Sequence, residues 1–158
     1  MDFNFFLPDL EPENGIFFHT ENLAFELNNT LKIKDWLTKI IEQEGHQLVL
    51  LNFIFCDDDF LHKINLEYLN HDTLTDIITF PLADLPLIEG EIYISIPRVR
   101  ENAVIFQVTF EEELHRVLAH GVLHLCGYPD KTEEQAAIMR RKEDEALALL
   151  QESFENNY

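Results

Sequence analysis

Apolar residues along this chain recur at strand and helix spacings in separate blocks, so the elements can be read from their period. Gly15 to Thr20, carrying Ile16, Phe17 and Phe18, suits a first strand. Ile33, Trp36, Leu37, Ile40 and Ile41 repeat at helical spacing between Leu31 and Glu44 and predict an amphipathic helix that Gly45 stops. Gln47 to Cys56 is too continuously apolar for a surface strand and is expected at the centre of a sheet. Asp57 then caps a helix to about Asn70, with Phe60, Ile64 and Tyr68 facing inward. The run Asp57-Asp58-Asp59 looks at first like a metal site, but acids at a helix start complement its dipole.

A polar loop, Asn70 to Asp76, leads into the strand Ile77-Ile78-Thr79-Phe80, which Pro81 ends. Gly90 opens a further strand, Glu91 to Ser95, and Pro97 begins a helical segment to about Gln107. Thr109 with Glu112 reads as a capping box for a helix ending at Gly127, and Thr132 with Gln135 as one for a last helix to about Gln151. Residues 152–158 are expected to fray. Strands early and helices late indicate an α+β fold. With no linker or repeat, the whole of 1–158 reads as one domain.

Composition narrows the function. The hydrophobic fraction is 46%, enough for a core, and no run of 18 apolar residues is present to span a membrane. The opening residues carry no basic leader, so a signal peptide is not expected. Cys56 and Cys126 are too few for a disulfide framework, which suits a cytoplasmic location. Against 11 Lys plus Arg stand 30 Asp plus Glu, a net charge of −19 that repels nucleic acid and anionic lipid at long range. Phe3, Phe5 and Phe6 could pack on the domain or on a partner.

The chemistry concentrates between His120 and Asp130. Helix residues four apart point within about 40° of each other, so His120 and His124 project side by side as a chelating pair. Gly127 can end the helix in a left-handed conformation, and Pro129 stiffens the turn that follows. Asp130 could then swing back as a third ligand, leaving an open position as catalytic metal sites do. The competing reading is an accidental, locally bonded pair. Its place beside the apolar stripe Leu114, Val117, Leu118, Gly121 and Leu125 favours the metal. Cys126 is rotated away and reads as a buried thiol, and His115 lies on another face. Arg116, one turn before His120, could lean toward the site or pair with Glu112 or Glu113. Arg140-Arg141-Lys142 and the acids after it read as a solvated face.

Zinc peptidases place a Glu after the first His as general base, but Gly121 stands there. The stretch His120-Gly121-Val122-Leu123-His124-Leu125-Cys126-Gly127-Tyr128 instead resembles the YbeY family of bacterial rRNA-processing metallo-endoribonucleases. Three further matches follow that family's order: Asn65-Leu66-Glu67-Tyr68, Thr75 to Pro81, and Gly90 to Ser95. The resemblance spans roughly residues 45 to 150. It implies a small zincin-like domain, a mixed sheet packed with helices, with the metal site at the end of the His-x3-His helix. It also implies one Zn²⁺ held by His120, His124 and Asp130, and cleavage of single-stranded RNA in small-subunit rRNA 3′-end maturation and ribosome quality control. The implied partners are rRNA and the small ribosomal subunit or its proteins, with no DNA and no membrane. Thr75, Asp76 and Thr79 would hydrogen-bond the imidazoles or simply be loop and strand polarity.

Two positions depart from the family. Asp130 stands where its third ligand is usually His, which favours a harder metal and a less acidic bound water. Leu69 stands where an Arg commonly follows the Tyr, leaving His71 and Arg116 as the candidates to contact phosphate. Two other functions therefore compete: a non-catalytic, metal-containing ribosome-assembly factor and, disfavoured by Gly121, a zinc peptidase.

Overall fold

The apolar run Gln47–Cys56 forms strand β2, and it takes the interior place its composition demands. In the computed structural model, which describes residues 15–71 and 75–156, β2 lies between two parallel neighbours: β1 (Gly15–Glu21) and β4 (Leu87–Ser95). Strand β3 (Ile77–Pro81) pairs antiparallel with β4 and forms one edge of the four-stranded sheet, in the order β1-β2-β4-β3. Helix α1 (Thr30–Gln43) connects β1 to β2, α2 (Asp58–Leu69) follows β2, and α3 (Ile96–Phe106), α4 (Phe110–Leu125) and α5 (Glu133–Glu155) complete the chain. The expected mixed sheet packed with helices is present.

The period of two sorts the strand residues between two layers. Leu51, Phe53 and Phe55 of β2, with Ile92 and Ile94 of β4, face the main core against α1, α4 and α5. Cys56 and Ile78 face the other side, where Leu61 and Ile64 of α2 close a smaller cluster with Phe60, Phe80 and Tyr93. On β3, therefore, Ile77 faces the main core and Ile78 faces α2. This edge strand borders both sides of the sheet.

Several boundaries differ from the sequence reading. Helix α2 turns Leu61, Ile64 and Asn65 inward, while Tyr68 is 69% exposed. Strand β4 begins at Leu87, because Leu87 and Ile88 already pair with Gln47 and Leu48. Gly90 thus lies inside the strand. The last helix does not fray at Glu152 but runs to Glu155. There Lys32 Nζ donates to the Ser153 carbonyl at 3.0 Å and lies over the Phe154 ring. The Thr132–Gln135 capping box is complete, whereas at Thr109 the Glu112 carboxylate accepts from the threonine hydroxyl instead of reaching the backbone. Phe3, Phe5 and Phe6 lie outside the described residues.

Gly90 faces Pro81 across the β3–β4 ladder, and a Cβ there would come within 2.6 Å of the Phe80 carbonyl oxygen. Backbone cannot yield as a flexible side chain can. Gly90→Ala is expected to cost about 1–3 kcal/mol, the range for overpacking, read from its urea midpoint.

Candidate metal centre

Helix α4 owes its position to a stripe of small and aliphatic residues, and that stripe fixes where its histidines point. Thr109 caps it by accepting from the Glu112 N–H, and Leu114, Val117, Leu118, Gly121, Val122 and Leu125 are buried against the sheet. Gly121 is needed for this contact. A Cβ there would lie 2.9 Å from Ile77 Cδ1 and 3.1 Å from Ile92. The position that holds a peptidase's general base is therefore turned into the core, with no room for a carboxylate. One turn apart on the adjoining face, the rings of His120 and His124 stand 4.4 Å apart and nearly perpendicular.

The chain reverses after α4 at Gly127, whose φ of +102° lies in the left-handed region that favours glycine. Tyr128 N–H closes the turn on the Leu123 carbonyl. The reversal brings Asp130 Oδ2 to 3.3 Å from His120 Nε2 and 3.2 Å from His124 Nε2. One potential ligand atom from each residue lies within 4.8 Å of the other two.

Each imidazole is held from behind. His124 Nδ1 donates to the Tyr128 carbonyl at 2.8 Å, and His120 Nδ1 pairs with Glu143 Oε2 of α5 at 2.6 Å. A carbonyl only accepts, so His124 Nδ1 carries the hydrogen and Nε2 is the ring atom turned toward Asp130. The same orientation follows for His120. Two imidazole Nε2 atoms and a carboxylate oxygen converging on one point form a group that could hold a cation. The donor set, two imidazoles and one carboxylate with their outer nitrogens bonded, fits a divalent metal.

Glu143 is the residue the sequence reading placed on a solvated face, yet it is only 5% exposed. Its carboxylate also accepts from Arg116 Nη1 at 2.9 Å, while Arg116 Nη2 reaches Asp144 at 2.8 Å. Arg116 thus pairs with neither Glu112 nor Glu113 and influences the site through Glu143. Burial pushes the Glu143 carboxyl up, but the bonds from His120 and Arg116 outweigh it and hold it below its ordinary value. Burial likewise pushes His120 down, and Glu143, Asp130 and Asp76 more than compensate.

A cavity of about 370 Å³ opens over the three candidate ligands. Thr75, Asp76, Thr79, His71 and Leu69 all line it. Among the described residues the imidazoles are bonded by Glu143 and Tyr128, not by Thr75, Asp76 or Thr79. Thr75 Oγ1 instead donates to the Ile77 carbonyl at 3.3 Å. Asp76 is raised by burial, which outweighs the favourable charges of His120 and Arg98. Two further candidates lie elsewhere. His115 packs edge-on to Trp36, and burial lifts the Cys126 thiol to about 12. The acid run at α2 is structural: Asp57 caps the helix, and Asp58 accepts from Ser95 and Arg98.

The turn carrying Asp130 has its own anchor. Tyr128 Oη donates to Glu44 Oε1 at 2.6 Å, and Lys142 Nζ donates to Glu44 Oε2 at 2.9 Å, tying α1, the turn and α5 together. Burial pushes Glu44 up, but these two bonds outweigh it and leave its pKa lowered. The bond to Glu44 also raises Lys142. A depressed carboxyl contributes stability above its unfolded value and loses it as pH falls through the folded one. A raised lysine contributes below its unfolded value and loses it as pH rises through the folded one. The anchor is therefore fully in force around neutrality. Glu44→Gln is expected to cost about 1.5–3 kcal/mol at neutral pH, the range for hydrogen bonds to charged groups. Urea unfolding of both proteins across the acid range should show that difference shrinking as the wild-type carboxylate protonates.

A helix and a glycine turn that bring two imidazoles and a carboxylate together over a mixed sheet give a zincin-like fold with a group that could hold a metal ion. The comparisons make the class specific. Residues 17–151 match the family model described as Endoribonuclease YbeY, and the chain belongs to that family. Endoribonuclease YbeY of Flavobacterium johnsoniae is 54% identical over 125 residues, 79% of this chain and 90% of that protein. The protein of the same name from Amoebophilus asiaticus is 55% identical over 133 residues, 84% and 90% of the two chains. The solution structure of TM1509 from Thermotoga maritima superposes with a TM-score of 0.62 at 30% identity, covering 90% of this chain and 93% of that one. No helix among the described residues is long and apolar enough to cross a membrane.

Proposed function

We propose that this protein is a zinc-dependent endoribonuclease that cuts single-stranded RNA, acting in the cytoplasm on the 3′ end of small-subunit rRNA and in ribosome quality control. The observation that carries the reading is the convergence of His120 Nε2, His124 Nε2 and Asp130 Oδ2 at the floor of an open cavity, in a chain of the YbeY family. When bound, a divalent ion supplies Lewis-acid polarisation of a phosphoryl oxygen and a more acidic water. The chain's own part is orientation. Glu143 and the Tyr128 carbonyl fix the tautomers and ring planes of the two histidines, and Asp130 adds the single negative charge of the ligand set. Asp76, raised by burial, keeps its proton to higher pH than an ordinary aspartate beside the bound strand.

Electrostatics supports a docked enzyme. Arg98 is committed to Asp58, Arg116 to Glu143 and Asp144, and Lys142 to Glu44. With a net charge of −19, affinity for free RNA is weak, and the small ribosomal subunit or one of its proteins supplies the docking. One observation favours the reading of a non-catalytic assembly factor: among the described residues neither Lys nor Arg lines the cavity, and Leu69 does. Incubating the zinc-loaded protein with a labelled single strand and its duplex separates the two. Cleavage of the single strand alone, lost with chelator and restored by zinc, is the expected result. RNA left intact both free and within the precursor subunits that the protein binds would replace it with the assembly reading.

A further inference from the structure

The lack of Lys and Arg among the described residues that line the metal cavity raises the question of what holds an RNA strand there. Phosphate neutralisation supplies most sequence-independent affinity, and this chain offers little of it. Contacts that need no positive charge must contribute more, and stacking of bases on aromatic rings is the principal one for single strands.

Next to the cavity, where α2 packs on the edge strand, lies a recess of about 480 Å³ lined by Phe60, Lys63, Tyr68, Phe80, Leu82 and Tyr93. Its rings form a continuous floor. Tyr68 meets Phe80 edge-on at 6.1 Å, Phe80 meets Tyr93 at 5.7 Å, and Tyr93 meets Phe60 at 6.3 Å. Tyr68 is 69% exposed, so burial of its own surface does not explain its presence. The recess and the metal cavity share no lining residue but flank the same edge of the fold, each built from the end of α2 and from β3. Leu69, immediately after Tyr68, and Thr79, immediately before Phe80, line that cavity. Glu67 and Glu91 also border the recess. Carboxylates repel a phosphate or an acidic peptide but accept hydrogen bonds from the amino group of a base.

We propose that this aromatic recess is a nucleobase subsite, in which one base of a single-stranded RNA lying across the metal cavity stacks on the ring of Tyr68. The proposal rests on the endoribonuclease reading for its ligand, and Lys63 at the rim is placed to meet the phosphate of the stacked nucleotide.

The test is binding of a short single-stranded RNA carrying 2-aminopurine at each position in turn. It uses the full chain loaded with zinc and again with chelator, where cleavage plays no part. In the wild type, fluorescence is expected to quench at one position. Tyr68→Ala should abolish that quench and raise Kd about tenfold, within the range for losing one stacked base, while Tyr68→Phe keeps both. The ratio should hold between about 50 and 200 mM salt, because stacking releases no counterions. Equal Kd and quenching in wild type and Tyr68→Ala would overturn the subsite, as would failure of the wild type to bind the RNA at all. Loss of binding to a small-subunit protein with RNA binding unchanged would also overturn it, making the recess a protein-docking surface. If the loaded wild type cleaves nothing while the Tyr68-dependent quench persists, the nuclease reading falls and the subsite stands.

Discussion

Asp130→Ala is expected to abolish metal-dependent RNA cleavage and to lower metal affinity by at least about 100-fold, the upper end of what the loss of a mere supporting partner costs. The substitution removes the only negatively charged member of the candidate ligand set and leaves two imidazoles. The fold should not suffer. Asp130 sits on an exposed turn with its side chain 37% accessible, and it pairs with the two histidines. Without metal, its midpoint of thermal unfolding should match the wild type within about 0.5 kcal/mol, as for surface substitutions. With metal the two should separate. An ion at 100 times its Kd stabilises the wild type by about 2.7 kcal/mol, and the variant should gain almost none of this. A variant that keeps the metal-induced shift would place the ion elsewhere. Asp130→His offers the complementary result: zinc retained, with preference moved away from harder ions such as manganese.

The grouping of the candidate ligands was legible to the extent that it is local. The spacing of His120 and His124, the glycine that ends their helix and the position of Asp130 are all consequences of one turn of helix and one reversal of chain. The caps at Asp57, Thr109 and Thr132 and the interior place of β2 are of the same kind. What brings distant segments together was not legible. Tyr128 is anchored by Glu44 and Lys142, 84 residues before it in the one case and 14 after it in the other. Neither spacing carries a period. Tyr68 was misplaced because an aromatic at helical spacing from Ile64 suggests core, whereas α2 is short and its inner face is narrow. Glu143 did carry a signal. Met139, Glu143, Ala146 and Leu150 repeat at four, three and four residues, and all four are buried. The charged run around Glu143 hid the fact that it occupies a core position on that stripe.

That position makes Glu143→Ala the most informative substitution outside the candidate ligands. Removing one member of a buried charge pair costs about 3–5 kcal/mol, because the partner stays behind uncompensated. Here the partner is Arg116, which keeps only Asp144, a residue 60% exposed at its side chain. The expected loss therefore lies toward the lower end, read from urea unfolding without metal. The second effect is on the centre itself. Without the carboxylate, His120 loses the bond that fixes its ring plane and holds its Nε2 toward Asp130. Metal affinity should fall about 10–100-fold, as it does when such supporting partners are lost. Glu143→Gln separates the two effects. The amide oxygen can still accept from His120 Nδ1, so tautomer and affinity should largely survive. The Arg116 guanidinium meanwhile loses its buried counter-charge, and stability should fall. Equal losses of metal affinity in both variants would show that Glu143 acts on the centre through its charge, not through the geometry it imposes on His120.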